Sequence, residues 1–167
     1  MRNIFTSMLL VAGLVGAFGA SAADIDAGKN ASAVCAGCHG ADGNSAIGNF
    51  PKLAGQGAKY LVKQMNDIKS GARPVLEMTG LLDALTEQDF NNLAAFYQSQ
   101  TTTGGQAKKD LAAKGEALYR GGNPATNVAA CTACHGPAGA GVELAAFPAL
   151  AGQQTDYLAK QLKNFRS

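Results

Sequence analysis

The chain has 167 residues, a formal net charge of +2 and only 16% charged residues. That balance, without a cluster of Lys and Arg interleaved with aromatics, excludes a nucleic-acid partner as the organising function. Hydrophobic residues reach 47%, but Trp is absent and aromatics are 7%, so small side chains would build a thin core in one or two small domains.

The chain opens with Met1-Arg2-Asn3, a short positive head. Ile4 to Ala17 is apolar or small throughout, and Gly19 to Ala23 offers small residues to a signal peptidase. Residues 1–23 read as a secretory signal peptide. The competing reading is a retained anchor, but the apolar run is shorter than the about 20 residues that span a bilayer. The expected mature chain starts at Ala23 or Asp24 and is periplasmic.

Asp26 to about Val34 predicts a short helix capped by Asp26. It leads into Cys35-Ala36-Gly37-Cys38-His39, and the same pattern returns as Cys131-Thr132-Ala133-Cys134-His135. These two runs use all four Cys and both His of the chain. A disulfide framework fits adjacent Cys-x-x-Cys pairs poorly. A shared zinc site needs four ligands close in space, whereas Cys38 and Cys131 are 93 positions apart. A thioredoxin-like pair needs a βαβ pattern, which is lacking. Covalent haem explains the residues best: two thiols add across the porphyrin vinyl groups, and the adjacent His supplies a proximal nitrogen to the iron. Two covalently attached haem c groups are therefore expected, on Cys35 and Cys38 and on Cys131 and Cys134, with His39 and His135 as axial ligands. The porphyrins would also supply the apolar bulk that the side chains lack.

Gly40 to Ser45 is a turn-rich loop, and Pro51 follows in a rigid one. Ala58 to Ser70 predicts a helix with Leu61, Met65 and Ile68 on one face, ended by Gly71 and Pro74. Thr86-Glu87-Gln88-Asp89 resembles a capping box and opens a helix striped by Phe90, Leu93, Ala94 and Tyr97. No convincing strand is present, so the expected class is all-α. For the sixth ligand of the first iron, Met65 reads as core filler on its helical stripe. Met78 lies in a loop that can bring its thioether, a soft donor, over the porphyrin.

The chain repeats itself. Phe50-Pro51-Lys52-Leu53-Ala54-Gly55-Gln56 returns as Phe147-Pro148-Ala149-Leu150-Ala151-Gly152-Gln153, and Tyr60-Leu61-Val62-Lys63-Gln64 as Tyr157-Leu158-Ala159-Lys160-Gln161, both at an offset of 97 positions. Two homologous domains are the plain reading: residues 24–100, a polar and flexible linker over residues 101–109, and residues 110–167.

With both pentapeptides, both Phe-Pro-x-Leu-Ala-Gly-Gln segments, and Arg73 and Met78 ahead of a Leu-Ala-Ala-aromatic helix, the chain resembles the dihaem cytochrome c4 family, two fused class I cytochrome c domains. The resemblance implies that Pro51 and Pro148 present backbone carbonyls to the proximal histidines. It also implies that Gly28 and Gly115 let the first helix of each domain cross the last one closely. One departure stands out. No Met follows His135, and the second copy stops at Ser167, where the first copy continues from Gly71 to Gln100. The second domain therefore reads as truncated, with a natural chain roughly 30 residues longer. In the chain as given, the second iron is expected to hold His135 plus water or a stray side chain, and to bind carbon monoxide.

The expected function is outer-sphere electron transfer by a monomer in a periplasmic respiratory chain. The resemblance implies redox protein partners, a membrane cytochrome complex or a terminal oxidase, met in weak, transient docking. The alternatives are the cytochrome subunit of a flavocytochrome-type dehydrogenase and a haem peroxidase-like enzyme; no His remains to serve the second as an acid–base group. Lys52, Lys59, Lys63, Lys69 and Arg73 read as a solvated set of charges, with a rim contacting the haem propionates as the alternative.

Overall fold

A computed structural model describes residues 22–105 and 107–166; almost all of the expected signal peptide lies outside these residues. The described residues form seven α-helices: α1 (Ile25–Ala31), α2 (Ala36–His39), α3 (Ala58–Lys69), α4 (Glu87–Ser99), α5 (Lys109–Gly121), α6 (Thr132–His135) and α7 (Thr155–Asn164). The described residues contain no strand, only isolated bridges between Asn123 and Val128 and between Val142 and Phe147. The fold is all-α, as expected.

The helix starts follow from their caps. Asp24, not Asp26, caps α1, accepting from the N–H groups of Asp26 and Ala27 at 2.9 and 3.0 Å. The N–H of Asp24 in turn donates to Asn92 Oδ1 at 2.8 Å, a tertiary bond that selects this Asp over its neighbour two positions on. The helix also ends earlier than expected, at Ala31, and tightens into a 3-10 turn over Ser32–Val34. At α4 the capping box forms: Thr86 Oγ1 accepts from the Asp89 N–H at 3.2 Å, and Asp89 Oδ2 accepts from the Thr86 N–H at 2.8 Å.

The core lies in the first domain. Leu61 of α3 meets Leu93, Ala94, Phe96 and Tyr97 of α4, with Met65 packed against them; Phe90 is buried at the head of the same helix. Helix α1 crosses α4 at Gly28, where an added Cβ would lie 2.0 Å from the Asn92 carbonyl oxygen. Only a residue without a side chain fits that crossing. The equivalent Gly115 in α5 has nothing within 4 Å, and α5 and α7 bury no side chain.

The two domains dock through their matching segments. Gln56 donates from Nε2 to the Ala149 carbonyl at 2.7 Å and accepts at Oε1 from the Ala149 N–H at 3.0 Å. Gln153 does the same to Lys52, at 2.9 and 2.8 Å. Around this reciprocal pair, Glu143 Oε1 accepts from the Lys59 N–H at 3.1 Å and so caps the start of α3 from the other domain. Arg73 bridges the seam, donating to Gln64 at 2.7 Å, Tyr157 at 2.9 Å and Gln161 at 3.3 Å. Arg73 is thus tied into the domain junction and does not belong with the solvated charges. Nor is the start of the linker free: Asn44 bonds the Thr101 carbonyl at 3.0 Å and the Thr103 N–H at 2.8 Å. Polar composition alone suggested flexibility there, but the side chain of Asn44 satisfies the backbone and fixes it.

Candidate haem sites

The last four residues of each pentapeptide form a short helix, α2 or α6, with the first Cys as its N-cap. The His follows its first Cys by four positions and so shares a helix face with it. Cys35 and Cys131 are half-buried, Cys38 and Cys134 are exposed, and no disulfide links any of them. Burial pushes the Cys35 thiol pKa up. The Tyr97 hydroxyl is enclosed beside Cys35 and Ser32 without a hydrogen bond of ordinary geometry, and burial raises its pKa strongly.

The histidines are held from behind. His39 is buried, and its Nδ1 lies 2.9 Å from the carbonyl oxygen of Pro51; His135 Nδ1 lies 2.9 Å from that of Pro148. A carbonyl only accepts, so each Nδ1 carries the proton and each Nε2 is left as the basic nitrogen. The loss of solvation on burial lowers the His39 pKa, against the raising effect of the Pro51 carbonyl, and so favours the neutral ring, the form that binds metal. A feature absent from the sequence reading accompanies this. Phe50 meets the edge of His39 at 6.4 Å between ring centroids, and Phe147 meets His135 at 6.1 Å. The signal was present in the repeated Phe-Pro, but a ring contact has no sequence periodicity to expose it.

Met78 closes a 3-10 turn over Leu76–Met78 between α3 and α4. It lines a hollow of about 560 Å³ together with Ile68, Arg73, Pro74 and Leu82. Met65 points into the core instead. The donor set fits haem c: two thiols one helical turn apart, a neutral imidazole with its outer nitrogen anchored, and a thioether in a loop.

The family pattern for cytochrome c matches residues 25–101 and 112–167. Cytochrome c4 from Pseudomonas aeruginosa is 54% identical over 166 residues, covering 99% of this chain and 82% of the relative. Cytochrome c4 from Azotobacter vinelandii is 50% identical over 175 residues, covering 99% and 83%. The crystal structure of reduced recombinant cytochrome c4 from Pseudomonas stutzeri superposes with a TM-score of 0.84 at 51% identity, covering 87% of this chain and 81% of that one. Two cytochrome c domains, a donor set suited to covalent haem in each and this degree of likeness along nearly the whole chain lead to one assignment: the chain belongs to the cytochrome c4 family, dihaem electron carriers with covalently attached haem c, and not to the enzymes.

Proposed function

We propose that this protein is a periplasmic electron carrier of a respiratory chain that passes electrons towards a terminal oxidase as a monomer. Cys35 and Cys38 hold one haem and Cys131 and Cys134 the other, His39 and His135 supply the proximal nitrogens, and Met78 supplies the second axial ligand of the first centre. Residues 1–23 direct export, and residues 24–100 and 110–167 form the two domains on either side of the linker over residues 101–109. The single observation that supports this reading most is the pair of matching imidazole–carbonyl bonds, at 2.9 Å in each domain.

The bound haem supplies a one-electron ferric–ferrous couple. The chain supplies the geometry. Pro51 and Pro148 hold the imidazoles in one tautomer and one orientation, which would keep rearrangement of these ligands small when the iron changed charge. Phe50 and Phe147 pack edge-on against these rings. The Met78 loop brings a soft donor that favours the reduced state. The reciprocal glutamines hold the two haem-binding domains against each other.

The test is Met78→Ala in protein matured in a periplasm that attaches haem. The variant is expected to keep two haems by pyridine haemochrome analysis, to lose the sulfur-to-iron charge-transfer band of one centre and to bind carbon monoxide there. Unchanged spectra and potentials would remove Met78 from the site. Protein carrying fewer than two haems in the wild type, or oxidase membranes that fail to oxidise the reduced protein, would overturn the wider reading.

A further inference from the structure

The two interdomain glutamines do more than join surfaces, because of which backbone atoms they take. The amide between Pro51 and Lys52 has its carbonyl on His39 Nδ1, at 2.9 Å, and its N–H on Gln153 Oε1, at 2.8 Å. The amide between Pro148 and Ala149 has its carbonyl on His135 Nδ1, at 2.9 Å, and its N–H on Gln56 Oε1, at 3.0 Å. In each case one peptide unit is held at one end by the proximal histidine of its own domain and at the other by a glutamine of the opposite domain. Gln56 is 5% exposed, so at least one of these bonds is shielded from water.

We infer that Gln153 and Gln56 are positioning residues that set the donor strength of the proximal histidine in the opposite domain. This rests on the assignment of His39 and His135 as iron ligands. A peptide group is a resonant unit: an acceptor on its N–H draws positive charge to that end and leaves more negative charge on its oxygen. A more negative carbonyl oxygen pulls harder on the Nδ1 proton, makes Nε2 more basic and stabilises ferric over ferrous iron. Docking of one domain therefore lowers the potential of the other, through a hydrogen-bonded relay of a glutamine side chain, a peptide unit and an imidazole.

The signature is crossed. Gln153→Ala is expected to shift the midpoint potential of the first-domain centre upward and leave the second in place; Gln56→Ala is expected to raise the second and leave the first. Gln154 serves as control: its side chain crosses the same seam by bonding the Ser45 carbonyl at 2.5 Å and touches neither of these amides, while its backbone N–H, which shares Gln153 Oε1 at 2.9 Å, is kept in the variant; Gln154→Ala should move neither potential. Each single variant retains the other glutamine clamp and the Arg73 bonds, so the domains stay docked, which small-angle scattering checks. Gln153→Asn, whose shorter arm leaves the Lys52 N–H unpaired, should shift the first centre in the same sense as Gln153→Ala.

The measurement is a potentiometric titration of holoprotein, with paramagnetic NMR assigning each transition to its domain. Pyridine haemochrome analysis on the same samples separates the two readings. Fewer than two haems in the wild type means that the ligand assignment has failed. Two haems with no potential shift, with equal shifts of both centres, or with a shift confined to the mutated domain would overturn the relay.

Discussion

Replacing Gly28 with Ala tests the packing on which the first domain depends. The new Cβ would lie 2.0 Å from Asn92 O, 2.5 Å from its carbonyl carbon and 3.0 Å from Phe96 Cβ. The first two atoms are backbone inside α4 and cannot turn aside. Ordinary contact begins at 3.4 Å, so α1 and α4 must part by about 1.4 Å (3.4 − 2.0). That separation opens gaps beside Leu93 and Ala94 and strains the Asp24–Asn92 bond. Overpacking of this kind costs about 1–3 kcal/mol, and a rigid backbone puts it at the upper end. Ala gains about 1 kcal/mol in helix propensity over Gly. The net expectation is a loss of about 2 kcal/mol, or a midpoint lower by about 10 °C for a domain of this size. Gly115→Ala makes the comparison, since it gains the same propensity and meets nothing within 4 Å. In the 167-residue chain it should stabilise by up to about 1 kcal/mol. Thermal and urea unfolding followed by far-UV circular dichroism measure both. A Gly28→Ala protein as stable as the parent would show that the crossing is looser than described and would refute the packing argument.

Three further outcomes follow from other contacts. Leu93, 1% exposed in the core, should cost about 2–5 kcal/mol as Leu93→Ala in urea unfolding. Thr86→Ala should cost about 1 kcal/mol by removing a helix cap. It should also flatten an acid dependence: hydrogen bonds from Thr86 hold the Asp89 carboxyl below its ordinary value, so this contribution is complete above about pH 4 and fades as pH falls through the lowered value. Helicity of α4 measured against pH in parent and variant shows whether that difference exists. Glu143→Ala removes the cap that the second domain places on α3 and should cost about 1 kcal/mol, seen as faster proteolysis across residues 104–108 if docking loosens.

The chemistry of the sites was legible because it is written in short runs. Cys-x-x-Cys-His needs no tertiary information, and the offset of 97 paired Pro51 with Pro148. The capping box at Thr86 and the apolar stripe of α4 were also local patterns. Three features were not local. Asp24 takes the cap of α1 because Asn92, 68 positions away, binds its backbone. Asn44 ties down the start of the linker, at Thr103, from a loop 59 positions earlier. The glutamine clamps join residues 93 and 101 positions apart. The repeat made Gln56 and Gln153 equivalent but said nothing of where either would reach. Charge counting likewise puts Arg73 among exposed bases, whereas its guanidinium fork meets Gln64 in its own domain and Tyr157 and Gln161 across the seam.

The seam has the form of a contact between two copies of one molecule. Gln56 reaches Ala149 and Gln153 reaches Lys52, the same surface used from both sides, as in an isologous dimer. Joining the copies in one polypeptide turns an association into an internal event, at an effective concentration in the mM range for a short tether. A contact too small to hold separate chains together then stays closed. It also frees each half to diverge: Lys52 and Ala149 occupy matching places without being alike. A single covalent unit can thereby hold two unlike redox centres that a symmetric pair of subunits would be obliged to keep identical.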